Sequence, residues 1–168
     1  MRDLDDATAA AHSARDPEAA LQYARDVAWR ALNRRDRTVE EMRTMLAGKR
    51  IEPATIDQVV AELTDFGHLD DARYAQRFTE DRRRLDAWGS ERIARRLRLL
   101  GVAAEHIERA SAEAGEEDEM ERAVALLRHR FPHPPADDRE RSRALGLLVR
   151  RGYESEAAYD AIRRYEQG

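Results

Sequence analysis

A period of 51 residues runs through this 168-residue chain and limits its possible folds more than any other feature. Shifting the sequence against itself by that length places Tyr23 on Tyr74, Ala24 on Ala75, Val27 on Phe78, Met42 on Ile93, Leu46 on Leu97, Ile51 on Val102 and Ile56 on Ile107. A second shift places Leu148 on Leu97, Gly152 on Gly101, Tyr153 on Val102 and Ala158 on Ile107, with a poor match in the first helix of the third copy. A unit of this size cannot bury its apolar face alone, so successive copies stack and cover one another through nearest-neighbour contacts.

Within each copy the signals are helical. In the clearest one, His68 to Gly115, Asp70 or Asp71 can cap a first helix carrying Ala72, Ala75, Phe78, Thr79 and Leu85 on one face. Trp88-Gly89-Ser90 then opens a second helix, with Ser90 as cap and Ile93, Leu97 and Leu100 as its apolar stripe. Gly101 ends that helix, and a short third helix from Ala104 to Ala114 closes at Gly115.

The first copy repeats the grammar. Asp16-Pro17-Glu18 combines a cap, a first-turn proline and a first-turn acid, predicting a helix from about Pro17 to Asn33 with Leu21, Ala24, Val27, Ala28 and Leu32 inward. Thr38-Val39-Glu40-Glu41 is a capping box for a helix ending near Gly48, and Glu52-Pro53 opens a third on Ile56, Val59, Val60 and Leu63 that stops at Gly67. The third copy begins near Glu116, breaks at Phe131 to Pro135, restarts at the Asp137-Asp138 cap and ends in a helix through Tyr159 and Ile162. Gly48, Gly67, Gly101, Gly115 and Gly152 all follow apolar runs and read as helix stops.

Charged residues make up 38% and aromatic residues 6% of the chain, which argues against a sheet or a thick core. The expected fold is therefore all-α: three tandem three-helix repeats, residues 16–67, 68–115 and 116–168, stacked into an elongated, curved array. Residues 1–15 lack caps and periodicity and are expected to form a disordered acidic tail.

The segments LDDARYAQRF, from Leu69, and WGSERIARRLRLLGV, from Trp88 to Val102, resemble the signature of the RecX family of regulatory proteins. The resemblance spans roughly residues 20 to 165. In the first copy Arg37-Thr38 stands where the second has Trp88-Gly89, and the third carries the proline break. The resemblance implies a protein that lies along the groove of the filament formed by the recombinase RecA on single-stranded DNA. There it restrains ATP hydrolysis, strand exchange and stimulated repressor cleavage, and so acts in DNA repair, recombination and the SOS response.

The charge is placed in keeping with such a partner. The net charge is −4, but Arg73 to Arg98 carries nine arginines against four acids, and Glu113 to Glu121 holds six acids. With Ala75 inward, Arg73, Arg77 and Arg84 fall in one band on the opposite face of the first helix. With Ile93 inward, Arg95 and Arg98 point outward on the next helix, and Arg92 and Arg96 flank them. The candidate surface is thus Arg73, Arg77, Arg84, Arg92, Arg95 and Arg98, whose guanidinium forks suit carboxylates of RecA or phosphates of DNA. Against this stands ordinary solvated surface, since Arg77 has Glu80 and Asp81 at helical spacing and Arg92 follows Glu91. Trp88 reads as a turn anchor, and Tyr23 and Tyr74 as packing residues.

Motifs for chemistry are lacking. His129 and His133 have Pro132 between them, which prevents the helix that would aim both at a metal, and the other histidines are scattered. Asp70-Asp71 reads as a helix start, no glycine loop is built to cradle phosphate, and no nucleophile motif is present. No enzyme, cofactor or metal is expected. Without cysteine there is no disulfide framework, and no apolar run reaches the roughly 20 residues that span a bilayer. The expectation is a cytoplasmic monomer with no membrane contact, binding RecA filament and the single-stranded DNA within it, with weak binding to free DNA. Two other readings fit the same fold: a helical scaffold for a different protein, and a helix-turn-helix-like module that reads duplex DNA.

Overall fold

The computed structural model describes residues 16–113 and 116–168, with residues 116–118 by their backbone alone. The expected tail, residues 1–15, and the expected stop at Gly115 lie outside the described residues. Nine helices and no strands form among those described: α1 Pro17–Leu32, α2 Val39–Gly48, α3 Pro53–Asp65, α4 Asp71–Asp86, α5 Ser90–Leu99, α6 Ala104–Ala112, α7 Glu116–Arg130, α8 Asp138–Arg151 and α9 Ser155–Gln167. The fold is all-helical, as the periodicity predicts.

The chain forms two compact units. The first runs to Tyr74 and includes Leu100–Val102; the second takes Ala75–Leu99 and Ala103–Gly168. In the first, α1 to α3 close on Leu21, Ala24, Val27, Ala28, Met42, Leu46, Ile56, Val59, Val60 and Leu63, all buried. The caps act as predicted: the Asp16 carboxylate accepts from the Glu18 amide, Pro17 occupies the first turn, and Thr38 and Glu41 form the reciprocal capping box. In the second, α7 to α9 enclose Ala123, Val124, Leu127, Ala144, Leu148, Tyr153, Ala158 and Ile162.

The 51-residue register is a register of burial. Met42 and Ile93 are wholly buried, as are Leu46, Leu97 and Leu148. Ile56, Ile107 and Ala158 are buried as well.

Four local expectations are corrected. Gly48 has no left-handed conformation and ends α2 as its last residue; Arg50, with φ +60°, makes the turn and occupies the repeat position of Gly101 and Gly152, at φ +80° and +89°. Leu85 is 64% exposed, because the buried stripe of α4 continues from Ala75 through Thr79 to Arg83 at four-residue steps. Ser90 is not the cap of α5: the Gly89 carbonyl accepts from the Ile93 amide, while both the amide and the hydroxyl of Ser90 donate to the Glu119 carboxylate of α7. The short third helix of the middle copy, α6, ends at Ala112, two residues before Ala114.

One joint recurs in the two units. In the first, the Thr38 hydroxyl donates to the Leu100 carbonyl at 2.6 Å and the Val39 amide donates to the Asp71 carboxylate at 2.9 Å. In the second, one period on, the Gly89 amide donates to the Arg151 carbonyl at 2.8 Å and the Ser90 amide to the Glu119 carboxylate at 2.9 Å. The helix start that begins each second helix thus bonds the turn ending the next one, and an acid from a following helix satisfies its orphan N–H. This explains why Asp71 to Tyr74 and Leu100 to Val102 belong to the first unit.

Candidate partner-binding surface

The six arginines singled out by periodicity fall into different surroundings. Arg73, in the first unit, is exposed; its guanidinium donates to the Gly67 carbonyl at 2.7 Å and lies 3.8 Å from Asp70, whose carboxylate also caps α4 through the Arg73 amide. Arg77 and Arg84 are exposed on α4 in the second unit, and Arg84 lies 3.3 Å from Asp81 on the same helix. Exposed pairs of this kind contribute little to stability, so they leave the guanidinium available to a stronger partner.

On α5, Arg95 and Arg98 are exposed and line one open cleft of about 390 Å³ with Ser90, Glu91, Ser111 and Glu154. Arg92 is turned into the fold: its guanidinium lies 4.2 Å from the centre of the Trp88 ring and donates to the Arg150 carbonyl at 3.0 Å. A cation over an indole face, with a backbone carbonyl at its other edge, is a structural clamp. Trp88 is the turn anchor its position predicts, edge-on to Phe78 at 6.3 Å and 5.8 Å from the Arg82 guanidinium. Ala87, at φ +50°, reverses the chain just before it.

The tyrosines at equivalent repeat positions, Tyr23 and Tyr74, are both half-buried. His133 lies beyond the end of α7 at Arg130, and among the described residues no three metal-ligating side chains come together. No helix among them is long and apolar enough to cross a membrane.

Two features escape a reading of periodicity. Arg83, within the arginine run, is buried, so one of the run's charges belongs to the interior. A second cationic groove forms in the last helix trio, where Arg139, Arg143 and Arg150 of α8 meet Arg130 at the end of α7. The spacing along α8 is visible in the sequence; the arrival of Arg130 depends on how α7 and α8 pack.

A chain built of three-helix units around such joints belongs to the class of helical-repeat proteins. Three family models match along it: RecX, first three-helix domain, over residues 24–63; RecX, second three-helix domain, over 70–110; and RecX, third three-helix domain, over 116–162. The chain belongs to the RecX family. A protein of Mycolicibacterium smegmatis named regulatory protein RecX is 31% identical over 155 residues, covering 89% of this chain and 82% of the relative. Proteins of the same name from Trichlorobacter lovleyi and Halorhodospira halophila are 36% and 37% identical, covering 77% and 80% of this chain and 86% and 83% of theirs. The crystal structure of RecX from Lactobacillus salivarius matches the fold with a TM-score of 0.80 at 18% identity, over 89% of this chain and 98% of that one.

Proposed function

We propose that this RecX-family protein binds the RecA filament on single-stranded DNA and restrains its ATPase, strand exchange and coprotease activities, as a cytoplasmic, non-enzymatic monomer. Membership of a family whose curated relatives carry the name regulatory protein RecX is the observation that carries this reading. The exposed arginines support it: Arg77 and Arg84 on α4, and Arg95 and Arg98 on α5, offer planar donor forks to carboxylates or phosphates. We take Arg73, Arg77, Arg84, Arg95 and Arg98 as contact residues, with Arg92 clamping Trp88, and residues 16–67, 68–115 and 116–168 as the working repeat boundaries.

The test is the DNA-dependent ATPase of RecA from the same organism. Stoichiometric protein is expected to depress it, and an unchanged rate would end the proposal. Arg77→Glu with Arg84→Glu is expected to weaken filament binding by about tenfold or more, through loss of two charge-assisted contacts, with helicity and melting temperature preserved. A helical scaffold for another protein predicts no effect on RecA in either form.

A further inference from the structure

We propose that the groove between the end of α7 and the outer face of α8 binds the phosphodiester backbone of a single nucleic-acid strand. It is lined by Arg130, Arg139, Arg143 and Arg150 together with Phe131, Ser142 and Leu147, and no carboxylate lines its volume of about 660 Å³. All four arginines are exposed, and none of them has an ion pair among the described residues. Several arginines elsewhere are matched to acids: Arg25 to Glu62, Arg35 to Glu41, Arg82 to Asp86, Arg141 to Glu166 and Arg163 to Asp160. Arg141 shares α8 with the groove arginines yet faces Glu166 of α9, so the division between paired and unpaired cations follows the faces of one helix.

Four like charges gathered without a counterion repel one another, and a polyanion replaces that repulsion with attraction while releasing its own condensed ions. The guanidinium fork matches phosphate oxygens in two-point contacts. Phe131 is half-buried, seated on the core of the unit, and its carbonyl accepts from the Tyr165 hydroxyl at 2.6 Å, so the ring is presented from a fixed backbone. An aromatic face beside a basic track favours a strand whose bases are free to stack, which a duplex withholds.

The groove is distinct from the arginines of α4 and α5, and its test contains no RecA, so it stands or falls separately from the filament proposal. Anisotropy of a labelled oligothymidylate is measured against salt for the full chain, for Arg139→Gln with Arg143→Gln, and for Arg30→Gln with Arg34→Gln, which removes equal charge from α1 and the turn after it. The groove variant is expected to lose about tenfold in affinity, with a salt dependence shallower by about 1.4 in the log-log slope, while the control stays within about twofold of the parent. Equal losses in both variants, wild-type affinity in the groove variant with its helicity intact, or equally tight binding of duplex would each overturn the proposal.

Discussion

Arg50 and Gly152 show how one backbone conformation is used for two purposes. At Gly152 an added Cβ would overlap the Cβ of Arg92 and come within 2.6 Å of its backbone nitrogen; at Gly101 it would meet the side chain of Glu40, with Cγ at 2.7 Å. Arg50, in the same left-handed region, carries a Cβ and is exposed. Gly152→Ala is therefore expected to destabilise by about 2–4 kcal/mol through overlap and φ strain together, read as a lowered urea midpoint. Arg50→Gly should stabilise by up to about 1 kcal/mol in the same assay, the relief of αL strain being partly offset by a freer unfolded chain. Tyr153 supplies a contrasting case. It is buried, its hydroxyl has no partner among the described residues, and burial pushes its pKa up to about 12. Since the folded state holds this proton more tightly, its contribution is intact below pH 10 and is lost as pH rises towards 12. Tyr153→Phe should melt at or above the wild-type temperature at neutral pH and show less alkaline loss; a large drop at neutral pH would mean the hydroxyl has a partner.

At the scale of elements, the start of α2 joins two roles. Thr38 caps α2 through the Glu41 amide and ties the turn after α5 through the Leu100 carbonyl, while wholly buried. Thr38→Val removes both bonds and strands the carbonyl, so a loss of about 2–3 kcal/mol is expected, with Thr38→Ser recovering most of it. Burial alone would raise the Glu41 pKa, but hydrogen bonds from Arg35 and from the Thr38 amide outweigh it and hold the carboxyl below its usual 4.5. A carboxylate with a lowered folded-state pKa stabilises above the unfolded value and ceases to as pH falls through the folded one. The melting temperature of the parent should thus fall more steeply below pH 4.5 than that of Glu41→Gln. The third copy has no such box at its restart, where the Asp137 carboxylate accepts from Glu140 and the Glu140 carboxylate from Ala136.

For the molecule as a whole, charge is sorted by surface rather than by sequence block. The arginine run of the middle copy is divided among the interior at Arg83, a clamp at Arg92, a turn contact at Arg73, an ion pair with Asp86 at Arg82, and exposed positions at Arg77, Arg84, Arg95, Arg96 and Arg98. The last trio adds an unpaired groove of its own. Effects on RecA should accordingly be strongest for the exposed α4 and α5 arginines. Binding to free oligonucleotide should instead follow Arg139 and Arg143.

Helical character, most of the capping residues and most of the buried positions were legible in the sequence because they depend on local chemistry and a repeating period. An amide at a helix start needs an acceptor, and an apolar residue every third or fourth place needs cover. Leu85 was misplaced because one helix face is a continuum, and only the neighbouring helices decide whether Arg83 or Leu85 is covered. Ser90 was misread for a related reason: its acceptor, Glu119, is 29 residues away on another helix. Which arginines are exposed, clamped or buried likewise depends on groups remote in the sequence, such as the Arg150 carbonyl that holds Arg92. Helix starts, stops and apolar stripes are largely written in local residue patterns; tertiary packing decides which cations are exposed, clamped or buried, because pairing and burial are properties of surroundings that no local pattern encodes.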